Sequence, residues 1–287
     1  MRPKGRICHQ SVIVLSFRKN YDLPARLCYF VELFKVSNQP QHPFEKTENF
    51  MPTISVVIPA HNEADNIGSL VHEIVATGLA CEIVVVDDAS TDDTHARLLT
   101  LKDSVPSLKV VQHAKSYGQS AAVATGIRHA AGDLIATMDG DGQNNPADVP
   151  RMVEAILKSD NPNLKMVAGF RKKRDDPAWR IICSKTANSY RRFFLRDETP
   201  DTGCGLKVFY RSAFLQLPFF DHMHRFLPAL IKMQGGDVIS VEVSHRARTH
   251  GISKYGTLNR LWVGIVDIFG VCWLRMRAKN VKITRCD

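Results

Sequence analysis

Between Thr53 and Phe170 the chain repeats one pattern: a short apolar run, a polar cluster, then a stretch with apolar residues at helical spacing. ISVVI (54–58), EIVVVDD (82–88), LKVVQH (108–113), DLIATMD (133–139) and KMVAGF (165–170) have the length and β-branched content of strands. The intervening stretches 63–77, 118–131 and 148–159 read as helices. Strands that are apolar on both faces must be covered from two sides, as in parallel sheets wrapped by helices. The expectation is therefore an α/β domain with a mostly parallel sheet flanked by helices.

In such sheets, ligands bind beyond the carboxyl ends of the strands. Polar residues gather at four of these ends: His61, Asn62 and Glu63; Asp87 and Asp88; Asp139 and Asp141; Arg171. One such cluster would be turn chemistry; four at one edge point to a binding site. Several members also have plainer readings. Glu63 suits the first turn of a helix. Asp87 suits a turn, and Asp92 and Asp93 suit the cap of the next helix. His9, His42, His95, His113 and His129 show no metal-ligand spacing and read as surface or loop residues.

The segment MDGDGQNNP (138–146) is the chemical centre. Two carboxylates one residue apart at a strand end can face one hard cation, Mg2+ or Mn2+, shared with substrate phosphates. Gln143 can add a carbonyl oxygen. An EF-hand loop starting at Asp139 would need Gly and Glu where Asn144 and Pro150 stand, so that reading fails. An aspartyl-nucleophile phosphate-transfer site normally has Thr or Val where Gln143 stands. No GxGxxG follows any strand. A nucleotide-diphosphate metal site remains.

The formal net charge of +9 is unevenly placed. Lys plus Arg against Asp plus Glu is 8 to 4 in residues 1–50, 21 to 23 in 51–244 and 9 to 2 in 245–287. Residues 171–196 hold nine basic side chains, opposed by Asp175 and Asp176 and interleaved with Trp179, Ile181, Ile182, Tyr190, Phe193, Phe194 and Leu195. This reads as a basic amphipathic segment for a membrane surface, with a solvated helix face as the plain alternative and nucleic acid as a weaker one. In the tail, Trp262–Leu274 is apolar apart from Asp267 and is flanked by Arg260, Arg275 and Arg277. It falls short of the roughly 18 apolar residues of a spanning helix. The tail reads as an interfacial amphipathic helix, its alternative being packing on a membrane partner. Seven irregularly spaced cysteines without a CxxC pair point to reduced thiols in a cytosolic setting. The start of the chain has no small-residue cleavage site after its short apolar stretch, which argues against a signal peptide.

Taken together, VVIPAHNEADNI, VVVDDASTDDT and DGDGQNNP resemble family 2 glycosyltransferases of the GT-A fold. GFR (169–171), WRIICSKTAN, DTGCGLKVF and RTHGISKY are similar to the dolichyl-phosphate mannose synthase group of polyprenyl-phosphate glycosyltransferases. The resemblance covers roughly residues 53–256 and implies roles position by position. Pro59, His61, Glu63, Val86 and Asp88 would line the nucleotide. His61 stands where Tyr or Phe is common. Asp139, Gly140 and Asp141 would hold the donor diphosphate, with Asp139, Asp141 and Gln143 on the metal. Arg248 and Lys254 would fold over the diphosphate, Asp141 and Arg248 being the residues most directly tied to catalysis. Arg171, Arg180 and Ser184 would hold the acceptor's lipid phosphate. Asp201 is not assigned as a base.

The implied reaction is inverting transfer of a hexose, with mannose favoured, from a GDP- or UDP-sugar to a dolichyl- or undecaprenyl-type phosphate. The enzyme would lie peripherally on the cytoplasmic face of a membrane, without nucleic acid. The resemblance also leaves room for a small membrane-protein partner. Expected boundaries are an N-terminal extension (1–50), the catalytic domain (51–256) and a basic membrane-associating tail (257–287). Two rivals stand beside this reading. One is a transferase of the same fold acting on a polysaccharide or other non-lipid acceptor. The other is a nonenzymatic, membrane-associated nucleotide-binding protein.

Overall fold

The computed structural model describes residues 52–79, 81–171, 191, 194–195, 197–246 and 257–279. The strands are β1 (Ile54–Ala60), β2 (Cys81–Asp87), β3 (Leu108–Gln112), β4 (Leu134–Thr137), β5 (Leu164–Phe170), β6 (Lys207–Tyr210) and β7 (Asp237–Glu242). The helices are α1 (Ala64–Ala76), α2 (Thr94–Ser104), α3 (Gln119–His129), α4 (Val149–Leu157), α5 (Arg211–Leu215), α6 (Leu227–Met233) and α7 (Thr257–Arg277).

The strands form one sheet in the order β3-β2-β1-β4-β6-β5-β7. β6 pairs antiparallel with both β4 and β5, while the other pairings are parallel. The expected parallel sheet is present, with one reversed strand inserted between the fourth and fifth apolar runs. That insertion has a chemical consequence. Because β6 is reversed, its amino end lies at the edge where β4 ends, with Lys207 opposite Thr137. The carboxyl ends of β1, β2 and β3 come level beside them, with Ala60 opposite Asp87 and Asp87 opposite Gln112.

Alternating side chains on each strand feed two separate cores. Val56, Ile58, Ile83 and Val85 pack with Ile67, Leu70, Leu98 and Met152 of α1, α2 and α4. Val57, Val84 and Val86 pack on the opposite face with Ala122 and Ile127 of α3, Leu230 of α6 and Val271 of α7. Full burial of such an aliphatic side chain stabilises by roughly 1.5–3 kcal/mol, and both faces are filled. Helix α3 lies especially close to the sheet: a Cβ at Gly126 would sit 2.4 Å from Val57 Cγ1. Only a residue without a side chain permits that approach.

Helix α7 is held to the domain by its inner face. Val271 is buried, His222 Nδ1 lies 3.3 Å from Asp267 Oδ2, and Arg275 Nη1 donates to the Phe194 carbonyl over 3.2 Å. Its outward residues Val266, Phe269, Trp273 and Met276 are exposed and recur at spacings of three and four, so they share one face. Among the described residues no helix is long and apolar enough to cross a membrane.

Candidate active site

Residues 139–148 form a self-braced loop after β4. Asn144 Oδ1 accepts from the Asp139 amide, Asp141 Oδ1 from the Gln143 amide, and Asn145 Oδ1 from the Ala147 amide. Gly142 supplies a φ of +72°, which a side chain would resist. The loop presses against the end of β1, where a Cβ on Gly140 would sit 3.0 Å from the Pro59 carbonyl oxygen and 3.6 Å from Glu63 Cγ. The strand ends therefore bring Pro59, Glu63, Asp139, Gly140 and Asp141 into one place.

Asp139 is the most constrained member. Gln119 Nε2, at the start of α3, donates to its Oδ1 over 2.8 Å. On the other side the backbone of Gly205 lies so close that a Cβ there would be 2.2 Å from Asp139 Oδ2. Burial first, and then repulsion from Asp141, push the Asp139 carboxyl up to about 6, while Lys207, Arg171 and Gln119 act in the opposite sense. A small cleft opens beside it, lined by Pro59, Gln119, Thr137, Asp139, Lys207 and His224 among others.

Two cations stand on the inner side. Arg171, just past β5, makes a two-pronged pair with buried Asp201, Nε to Oδ2 at 2.7 Å and Nη2 to Oδ1 at 3.1 Å. Lys207 is 4% exposed, and its ammonium donates to the Cys204 carbonyl. Gly205 and Lys207 are functional candidates that the sequence reading passed over, although both lie within its DTGCGLKVF segment. Neither carries a local signal, because their importance comes from the antiparallel seat of β6.

At the ends of β2 and β3, where the nucleotide is expected, Asp88 is deeply engaged. Its carboxylate accepts from His113 Nδ1 at 2.6 Å and from Ser116 Oγ, Tyr117 N and Gly118 N at 2.8 Å each. Burial alone would push this carboxyl up, but the four hydrogen bonds hold it below the ordinary carboxylate range. Four acceptances fill a carboxylate, so Asp88 anchors the loop after β3. His113 is correspondingly no ordinary surface residue: its Nε2 also meets Thr125 Oγ1 at 3.0 Å. His95 likewise has a partner, Asp87 Oδ2 at 3.2 Å. Asp87 accepts from the Ser90 amide, as a turn residue would.

His61 Nδ1 lies 2.8 Å from the Asp88 carbonyl oxygen. Glu63 stands at the N-cap of α1 and accepts from Asn66 Nδ2 at 2.8 Å. Val86 is wholly buried, its side chain packed in the core on the sheet face that α3 covers. Of the two expected cap residues, Asp92 carries the work, accepting from the Thr94 and Ala64 amides. Asp93 holds the N-cap position without a side-chain cap bond.

Of the residues expected at the acceptor, Arg171 is at the site edge, but its charge is shared with Asp201. Arg191 corrects the picture of a basic surface stripe over 171–196. It is buried, it lies 3.0 Å from Asp197 Oδ2, and it donates to Thr202 Oγ1 and the Thr199 carbonyl. Arg180, Ser184, Arg248 and Lys254 lie outside the described residues.

Residues 55–217, more than half of the chain, match glycosyl transferase family 2. The chain belongs to that family. This glycosyltransferase is 34% identical over 259 residues to dodecaprenyl-phosphate galacturonate synthase of Rhizobium johnstonii, covering 87% of this chain and 73% of the relative. It is 34% identical over 212 residues to undecaprenyl-phosphate 4-deoxy-4-formamido-L-arabinose transferase of Edwardsiella ictaluri, covering 71% of this chain and 63% of that one. The chain thus spans less than two thirds of the latter relative's length.

Among solved structures, glucosyl-3-phosphoglycerate synthase of Mycobacterium tuberculosis, in complex with Mn2+, UDP and phosphoglyceric acid, superposes with a TM-score of 0.60 at 21% identity. The match covers 78% of each chain. A mannosyltransferase of Pyrobaculum calidifontis, in complex with GDP-mannose and Mn2+, superposes with a TM-score of 0.59 at 21% identity, covering 80% of this chain and 66% of that one. These likenesses establish the shared GT-A-like fold.

The transferase's own residues fit a divalent cation of a particular kind. Among the described residues no group of three or more His, Cys, Asp or Glu side chains converges on one point. Instead two hard carboxylates share one braced turn and repel each other. That donor set suits Mg2+ or Mn2+, which keep positions open for water and phosphate oxygens.

Proposed function

We propose that this glycosyltransferase moves a sugar from a nucleotide-diphosphate donor to a polyprenyl phosphate, with inversion at the anomeric carbon, at a membrane surface. The observation that carries the reading is that Arg171, paired with Asp201, lies close enough to the Asp139/Asp141 turn to act on the Asp139 carboxyl. The activities named for the two relatives, a dodecaprenyl-phosphate and an undecaprenyl-phosphate sugar transferase, support the acceptor class. Mannose was favoured by the sequence resemblance, whereas those relatives carry galacturonate and a formamido-arabinose. The sugar and the base, guanine or uracil, are therefore to be read from a donor panel.

In this proposal Asp139 and Asp141, with Gln143, would hold Mg2+ or Mn2+ at the donor diphosphate. The metal, when bound, supplies positive charge to a leaving group that gains negative charge. Arg248 and Lys254 add a guanidinium and an ammonium to the same end. Pro59, His61 and Glu63 border the nucleotide, with Asp88 fixing the loop behind it. Arg171, Arg180 and Ser184 receive the acceptor phosphate. A phosphate monoester has a second pKa of about 6, so the acceptor is largely dianionic at neutral pH. Its oxygen attacks the anomeric carbon as the carbon–diphosphate bond breaks, and no protein base is required. The chain's contribution is positioning and charge.

The outward apolar face of α7, beside Arg275, Arg277 and Lys279, would lie on an anionic membrane face. Residues 1–50 and 257–287 are then appendages to a catalytic domain spanning 51–256.

The test is incorporation of label from GDP-mannose, UDP-galacturonate and other UDP-sugars into the lipid fraction, with Mg2+, Mn2+ or EDTA. Label from at least one donor, lost with EDTA and in Asp141→Ala, is expected. Loss of lipid labelling in Arg180→Ala is expected too; intact labelling there would overturn the acceptor assignment. Label entering a water-soluble or polymeric product instead would favour the non-lipid acceptor.

A further inference from the structure

Lys207 has no part in the reading above, yet it is a deeply buried cation beside the proposed metal pair. It opens β6, the one reversed strand, and pairs with Thr137, two residues before Asp139. Its side chain is almost wholly buried and lines the same cleft as Asp139. An ammonium removed from water costs several kcal/mol unless charge compensates it, and a methionine would fill the same space without that cost. The ammonium of Lys207 donates to the Cys204 carbonyl, beside the cleft it shares with Asp139. Burial pushes the Lys207 ammonium below the ordinary lysine range, and Cys204, Asp139 and Asp201 oppose that shift. Arg171, the other cation near Asp139, has its charge engaged by the two-pronged pair with Asp201.

We propose that Lys207 is a resident counter-cation for Asp139. It balances that carboxylate when no metal is bound, and by repelling a divalent ion it weakens the metal's hold. Metal retention then depends on the donor's diphosphate, and the ion is released with the nucleotide product. Lys207 acts here through Asp139 and is a positioning residue. The inference rests on the reading of Asp139 and Asp141 as the metal pair.

The sign of one measurement separates this role from a merely structural one. Mn2+ binding is followed by the electron paramagnetic resonance of the free ion, with and without UDP or GDP. Without nucleotide, Lys207→Met is expected to bind Mn2+ about 10-fold tighter than wild type, one repelling charge having been removed. Lys207→Arg is expected to match wild type. A lysine that only supports the fold predicts the reverse, because a loosened site binds more weakly. Unchanged or weaker binding in Lys207→Met, with wild type binding normally, overturns this inference alone. Absence of Mn2+ binding in wild type even with nucleotide overturns the metal reading and this inference together. If Lys207→Met fails to fold, the double variant Asp139→Asn/Lys207→Met decides. Recovery of a soluble, cooperatively melting protein supports the charge pairing, and failure of that variant too overturns it.

Discussion

Replacing Gly205 with alanine asks whether the Asp139 carboxylate has anywhere else to go. A Cβ at position 205 would lie 2.2 Å from Asp139 Oδ2, 2.4 Å from Cγ and 2.6 Å from Oδ1. To restore ordinary contact at 3.4 Å, the carboxylate or the strand must withdraw by more than 1 Å. The strand resists. The Gly205 carbonyl accepts from Thr137 Oγ1 at 2.9 Å, and the Leu206 carbonyl accepts from the Gly169 amide at 3.0 Å. The carboxylate therefore yields, breaking away from Gln119 and from its alignment with Asp141. A misplacement of about 1 Å at a reacting centre can cost roughly 10²-fold in rate, or about 2.7 kcal/mol of barrier. The accompanying overpacking is expected to cost about 1–3 kcal/mol of stability. The assay pairs kcat/KM for metal-dependent transfer with Mn2+ titration and a thermal melt. Expected are a folded protein, weakened Mn2+ binding and transfer down about 100-fold. Wild-type Mn2+ affinity and wild-type turnover per folded molecule would refute the idea that Gly205 is the seat of Asp139.

Three further outcomes follow from the same geometry. The Asp139 carboxyl titrates near 6 in the metal-free protein, and only its ionised form binds the cation. Mn2+ affinity is therefore expected to be flat at neutral pH and to fall by up to about tenfold per pH unit below 6. Because this pKa is raised, its contribution to metal-free stability is fully present below about 4 and is lost as pH rises through 6. The melting-temperature gain from Mn2+ should grow across that same window; a gain independent of pH would contradict the assignment. His113→Ala removes one partner from Asp88 and one from Thr125. It is expected to cost about 1–3 kcal/mol in urea denaturation, and an unchanged midpoint would show the network to be dispensable. Asp197→Ala removes the carboxylate facing the buried Arg191 guanidinium while its bonds to Thr202 and the Thr199 carbonyl stay, and is expected to cost about 3–5 kcal/mol; a loss under about 1 kcal/mol would show the ion pair to be dispensable.

Much of this protein is written locally. Apolar runs at 54–58, 82–88, 108–113, 133–139 and 165–170 announce strands, because burial on two faces demands apolar residues in sequence. The polar residues that end them announce the edge where a ligand sits. The spacing of Asp139 and Asp141 alone puts two carboxylates on one turn, which is the basis of the proposed cation site. Tertiary structure decided what those residues are balanced against. Gly205 and Lys207 reach Asp139 only because β6 runs backwards between β4 and β5, and no periodicity reports the direction of a four-residue strand. The same holds where charge pairs form across long stretches of chain. Asp201 claims Arg171 from 30 residues away, His113 claims Asp88 from 25, and Arg191 turns inward to Asp197 although its neighbours in sequence read as a basic surface. Periodicity follows the side chains along one element; the pairing of charges follows the sheet's register, and that exists only once the chain is folded.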